Sequence, residues 1–82
     1  WGAMVMGLGK ASALDAKSSA LAYLAVLAAL RLESGIPFHV REAKRAGATR
    51  DEVISAILVG LPAAGHVVTQ ALPGAVAAYD AP

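Results

Sequence analysis

Eighty-two residues, 57% hydrophobic and 16% charged, with a net charge of +1, describe one small and unusually apolar domain. With no cysteine to staple it, and with two histidines making a poor structural metal site, the chain is expected to gain stability by forming a homo-oligomer. So small a net charge argues against nucleic acid as a partner: the one basic cluster, Arg41, Lys44 and Arg45, is interrupted by Glu42 and reads as a solvated helix face.

A membrane span is the other outlet for the apolar surplus. The longest uninterrupted apolar run, Ala20 to Leu30, holds 11 residues, whereas a spanning helix needs about 20. That run is also rich in alanine, which suits close helix packing better than insertion. No membrane role is expected. The sequence opens at Trp1, which leaves open what precedes it, and no basic-then-apolar leader stands at its start. Together with the missing cysteines, this gives the expectation of a cytoplasmic protein.

Alternating β-branched runs are absent and alanine is abundant, so the fold class is all-α, a compact antiparallel helical bundle with short turns. No repeat, linker or charge block divides residues 1–82, which form a single domain. Residues 1–13 hold three glycines and read as a short helical turn and loop. Asp15 is placed to cap a helix from Ala16 to about Leu32. The second half of that helix, "ALAYLAVLAAL", is apolar on every side, as in a helix enclosed by neighbours. Ser34, Gly35 and Pro37 end it, and Pro37 suits the first turn of the next helix. That helix runs to about Ala46 and stops at Gly47. His39, Ala43 and Ala46 share one stripe of it, with Arg41, Lys44 and Arg45 opposite, so His39 is expected to point inward. "TRDE", Thr49 to Glu52, has the pattern of a capping box. It opens a third helix whose Val53, Ile54, Ile57, Leu58 and Leu61 share a face. Gly60, Pro62 and Gly65 break it, and a last helical stretch, His66 to Tyr79, is expected to bend at Pro73-Gly74.

These segments carry a resemblance. "LDAKSSALAYLAVLAALRLESGIPFHV", "REAKRAGATRDEVISAILVG", the Gly-rich break and the Ala-rich final helix resemble the carboxymuconolactone decarboxylase and alkylhydroperoxidase D-like superfamily over residues 14–79. The most specific elements are the helix ending in a short break, the histidine on the next helix's inner face, and the "AGATRDE" turn. In the alkylhydroperoxidase D-like branch this region looks like E-x11-C-x-x-C-x-x-x-H, with a glutamate and a histidine relaying protons to a redox cysteine pair. The corresponding positions here are Ala20, Leu32, Gly35 and His39. Thiolate chemistry needs a thiol, so cysteine-dependent peroxidase or disulfide reductase activity is rejected. The cysteine-free branch, R-L-E and then H-L-R after five intervening residues, fits better, with Arg31, Leu32, Glu33 and then His39, Val40, Arg41. That resemblance implies decarboxylation or isomerisation of a small organic acid or lactone without metal or cofactor. It also implies a hexamer or trimer of dimers with pockets between subunits. No cluster of basic residues is plainly placed for a dicarboxylate; Arg31 and Arg41 are the nearby candidates.

Each candidate residue has a plain structural alternative. His39 is either the acid/base group, a neutral imidazole in an apolar pocket, or a satisfied core histidine that holds the corner. Glu33 either orients His39 or is a solvated carboxylate paired with Arg31 or Arg41. His66 is either a second acid or substrate donor across the pocket, with Thr69 and Gln70 on its side, or a surface residue at a subunit boundary. Phe38 and Tyr23 are core or pocket walls, and Phe38 with Arg31 completes the candidate substrate-binding set. A zinc site from His39, His66 and Glu33 lacks tight ligand spacing and is not expected. Ser19 and Ser34 lack a nucleophile-elbow pattern, and "GLGK" is too short for a phosphate loop. The competing function class is a non-catalytic oligomeric domain that keeps the fold.

Overall fold

The Asp15 carboxylate accepts the Ser18 N–H at 2.7 Å, and this cap starts the central helix where the sequence places it. The computed structural model describes residues 1–82. Six helices follow one another: α1 (Gly2–Ala11), α2 (Ala16–Ala29), α3 (Ile36–Arg45), α4 (Arg50–Leu58), α5 (Leu61–Ala64) and α6 (Leu72–Asp80). Two 3₁₀ segments, Glu33–Gly35 and Gly65–Ala71, join them, and there is no strand. The domain is all-α. Helix α2 lies against α3, α4 and the second 3₁₀ segment, and α3 lies against α6.

The core is wholly apolar. Leu24, Leu27 and Ala28 of α2 meet Ile36, Val40 and Ala43 of α3, with Val53 and Ile57 closing in from α4. No buried side-chain nitrogen or oxygen lacks a partner, so uniform apolar packing carries no stranded polar group.

Two helix ends are built alike. After α3, Ala48 N–H donates to the Ala43 carbonyl at 2.9 Å and Gly47 N–H to the Lys44 carbonyl at 3.0 Å. Gly47 sits at φ 100°, as this Schellman closure demands. After α2, Leu32 N–H donates to the Leu27 carbonyl at 2.9 Å and Arg31 N–H to the Ala28 carbonyl at 3.3 Å. Here the left-handed position, φ 62°, is held by Arg31 rather than glycine. This closure ends α2 at Ala29, three residues short of the expected Leu32.

The capping box at Thr49 and Glu52 forms, with N–H···O distances of 3.1 and 2.8 Å. The C-terminal helix is fastened to the same corner. Tyr79 Oη donates to the Ala48 carbonyl at 2.8 Å, and Lys44 Nζ donates to the Tyr79 carbonyl at 2.7 Å. Arg50 reaches both carboxylate oxygens of Asp80.

Two local expectations change. Residues 1–13 are not a turn and loop: Gly2–Ala11 forms a full helix, although it buries none of its residues. The last helical stretch is a 3₁₀ segment followed by α6, because Pro73 takes the first turn of a new helix instead of bending an old one. By length and mean hydropathy (1.6), Arg50–Asp80 is long and apolar enough to cross a membrane. In the fold, however, it is divided at Gly60 and at Gly65, whose φ is +80°, and its pieces pack on α2 and α3.

Much apolar surface stays open. The accessible surface is 5226 Å², against roughly 4,600 Å² for a compact monomer of this mass. Helix α2 is enclosed on one side only: Tyr23 (48% exposed), Val26 (48%) and Leu30 (63%) form an open ridge, with Phe38 (54%) nearby.

Candidate functional site

His39 lies on α3 one position off the buried Ile36–Val40–Ala43 stripe. It is therefore half-buried and faces a gap between α1 and the rest of the domain, rather than the core. Its imidazole packs at a tilt against Tyr23 of α2, with ring centroids 4.6 Å apart and planes 53° apart, and meets Phe38 edge-on at 5.0 Å. Gly35 lies beside it: a Cβ there would make ordinary contacts, 3.5 Å from Leu27 and 3.9 Å from the His39 ring. Loss of hydration pushes the His39 pKa below the ordinary imidazole range, and the nearby Glu42 carboxylate partly opposes the shift. The imidazole is neutral near pH 7.

The gap is a cavity of about 590 Å³, within the size range of small-molecule sites. Trp1, Met4, Val5 and Leu8 line it from α1 and the residue before it. Ser19, Tyr23 and His39 line it from the bundle. Ser19 and Tyr23 stand one helical turn apart on α2, which aligns them on one face. A shallower groove beside Ala16 and Ala20 contains the Glu42–Arg45 ion pair, 2.6 Å, and no histidine. The position corresponding to the relay glutamate, Ala20, opens on that groove instead of on His39.

The remaining candidates are dispersed. Glu33 makes no hydrogen bond to His39; closure of α2 at Leu32 makes it the first residue of an exposed 3₁₀ turn. Nor does it form an ion pair with Arg31 or Arg41, both of which are exposed. The carboxylate that acts on His39 is Glu42, one turn further along α3. Exposed His66 lies beyond Gly65 and outside the cavity lining, and its carbonyl accepts the Thr69 hydroxyl at 2.8 Å. Arg31 is outside the lining too, and its conformation belongs to the α2 closure. Phe38 flanks the imidazole without lining the cavity. No three His, Asp or Glu side chains converge as a ligand set.

The helix and the histidine that carried the resemblance thus line one cavity, with the corner between them outside its lining. The carboxymuconolactone decarboxylase family model matches residues 1–78. The chain belongs to the carboxymuconolactone decarboxylase family. No curated protein and no solved structure matches it. The match begins at Trp1, so this family member includes α1 in its domain, the element that sequence reasoning missed as a cavity wall. The apolar spacing of Trp1, Val5 and Leu8 was the available signal, obscured by the glycines among them. Ser19, with no nucleophile-elbow pattern, carries no sequence signal of a cavity wall, and Glu42 reads in sequence only as a break in a basic cluster.

Proposed function

We propose that this carboxymuconolactone decarboxylase-family domain carries out cofactor-free acid/base chemistry on a small organic acid or lactone, with His39 as the proton-transfer group. The observation that carries the proposal is the His39 imidazole, its pKa lowered by desolvation, presented to a cavity whose other walls are mostly apolar. In an isomerisation the neutral imidazole takes a proton from one carbon and, as imidazolium, returns it to another; in a decarboxylation the C–C bond to the carboxylate breaks to release CO2, and the carbanion left behind takes a proton from solvent through the imidazolium. Tyr23 and Phe38 pack against the ring. Thiol peroxidase chemistry is outside the proposal, because the chain has no cysteine.

The proposal includes a cytoplasmic homo-oligomer, a hexamer or trimer of dimers, in which the Tyr23–Val26–Leu30 ridge is covered. The excess of open surface supports this part. The test is a His39→Ala variant beside His39→Gln. If both keep the helical circular dichroism and assembly state of the parent and lose turnover of lactone or acid substrates, His39 is the acid/base group. Turnover equal to the parent's rejects it. Unfolding or misassembly of both makes His39 a structural residue.

A second reading, a non-catalytic ligand-binding domain, is favoured by one observation: no carboxylate hydrogen-bonds His39 to fix its tautomer. Under this reading the same variants change ligand affinity while the parent turns nothing over.

A further inference from the structure

We propose that Tyr23 is a second catalytic residue of the cavity, its phenol O–H donating to the substrate oxygen on which negative charge collects while His39 moves the proton. This rests on the functional reading above and assigns the other half of its chemistry. An imidazole that takes a proton from carbon leaves an electron pair behind. That pair is stabilised when it passes to a carbonyl oxygen held by a hydrogen-bond donor. Decarboxylation loads the same oxygen with the pair left by departing CO2. The chemistry therefore calls for a donor close to His39. Tyr23 lines the cavity, and its ring lies against the imidazole at 4.6 Å between centroids. Neither the Tyr23 hydroxyl nor a ring nitrogen of His39 is engaged by another protein group. Both are free for a ligand. Of the other side-chain donors in the lining, the Trp1 indole stands on the α1 wall, and the Ser12 hydroxyl oxygen accepts the Leu14 N–H at 3.1 Å. Ser19 lies one helical turn from Tyr23 on the same face of α2 and extends its row of hydroxyls. A phenol is the stronger acid of the two and hence the better donor to a developing oxyanion.

The probe is α-angelica lactone, a butenolide with acidic protons on the carbon between its carbonyl and its double bond. His39 takes one of them, and the electron pair spreads to the carbonyl oxygen as a dienolate that Tyr23 hydrogen-bonds. The imidazolium then delivers a proton to the methyl-bearing carbon. The product is the conjugated isomer, β-angelica lactone, with no atom gained or lost. Proton NMR in D2O follows the conversion and the deuterium that enters the product. Tyr23→Phe keeps the ring beside His39 and removes only the donor. It should lower kcat at least about tenfold, toward the roughly 10²-fold that loss of one oxyanion donor costs, with KM changed less than about threefold. Helical circular dichroism and the pH dependence set by His39 should stay as in the parent. Parent kcat in Tyr23→Phe, beside a His39→Gln variant that has lost turnover, overturns the role of Tyr23 and leaves His39 standing. So does a loss confined to KM, which is ground-state binding, or a loss that comes with altered helicity or a displaced pH limb, which is structural. A parent no faster than buffer, or His39→Gln as fast as the parent, overturns the functional reading and this inference with it.

Discussion

Arg31 occupies a backbone position that the same fold gives to glycine at its other Schellman closure, and replacing it with glycine should stabilise the protein. The hydrogen bonds at the two sites are alike, 2.9 and 3.3 Å after α2 against 2.9 and 3.0 Å after α3, so the turn itself does not require an arginine. An L-residue in the left-handed region costs roughly 1–2 kcal/mol, from crowding of Cβ against the next carbonyl. Glycine returns about 0.4–1 kcal/mol of this through its greater freedom in the unfolded chain. The net gain expected for Arg31→Gly is about 0.5–1 kcal/mol. With a urea slope near 1 kcal/mol per molar for so small a domain, the unfolding midpoint should rise by roughly 0.5–1 M. The control is Gly47→Ala, which places a Cβ at φ 100° and should lower the midpoint by a comparable amount. Both are measured at one protein concentration, so that association contributes equally. A lower midpoint for Arg31→Gly would refute the strain argument and show that the arginine side chain stabilises the corner by more than its backbone costs. Because Arg31 does not line the cavity, ligand affinity there should be unchanged.

Other expectations follow from the same geometry. The His39 pKa should lie below about 6.5 by NMR titration; since the unfolded chain then binds the proton more tightly, stability is full above pH 6.5 and falls as pH drops toward the folded pKa. A His39 pKa above 6.5, or stability that rises on acidification in a chain where only this group is altered, would contradict its desolvation. Tyr79→Phe deletes the 2.8 Å bond to the Ala48 carbonyl while leaving Lys44 over the ring, and should cost about 1 kcal/mol in chemical denaturation; no loss would mean that water replaces the hydroxyl. Gly7→Ala with Gly9→Ala should raise helicity by circular dichroism, because no atom lies within 4 Å of a Cβ built at either position and each exchange favours a helix by roughly 1 kcal/mol; unchanged helicity would count against α1 as a continuous helix.

What the sequence disclosed was local chemistry. The Asp15 cap, the Thr49–Glu52 box and the Gly47 stop each depend on groups within five residues, and all three stand where their residue types place them. Helical periodicity came within one residue on α3: His39 was placed on the inner stripe, but that stripe is centred on Ile36, Val40 and Ala43. That single step moves the imidazole from the core to the cavity wall. Glu33 misled because it is near His39 in the chain, whereas the closure of α2 makes it the start of an exposed turn. Tyr23, the actual ring neighbour, is distant in sequence and becomes adjacent only when α2 and α3 pack. An arginine at a left-handed position has no local signature at all. The start of the chain failed for a related reason: three glycines lower intrinsic helicity, and whatever supports α1 lies outside its own sequence.

That last point bears on how the site works. A ten-residue helix is marginal alone in water, and Gly7 and Gly9 each weaken α1 by roughly 1 kcal/mol relative to alanine. Its N-terminus has no side-chain cap, and none of its residues is buried. The apolar surface it presents to the gap, Trp1, Met4, Val5 and Leu8, is what an occupant of the gap or a second copy of the chain would cover. A neutral ligand in the 590 Å³ cavity provides such surface, at roughly 25 cal/mol for each Å² of apolar area removed from water. Anything that binds the docked helix and not the undocked one shifts the balance toward docking. Occupancy and α1 docking are then linked, and the linkage runs both ways. The same occupant withdraws more water from His39, which favours the neutral imidazole further.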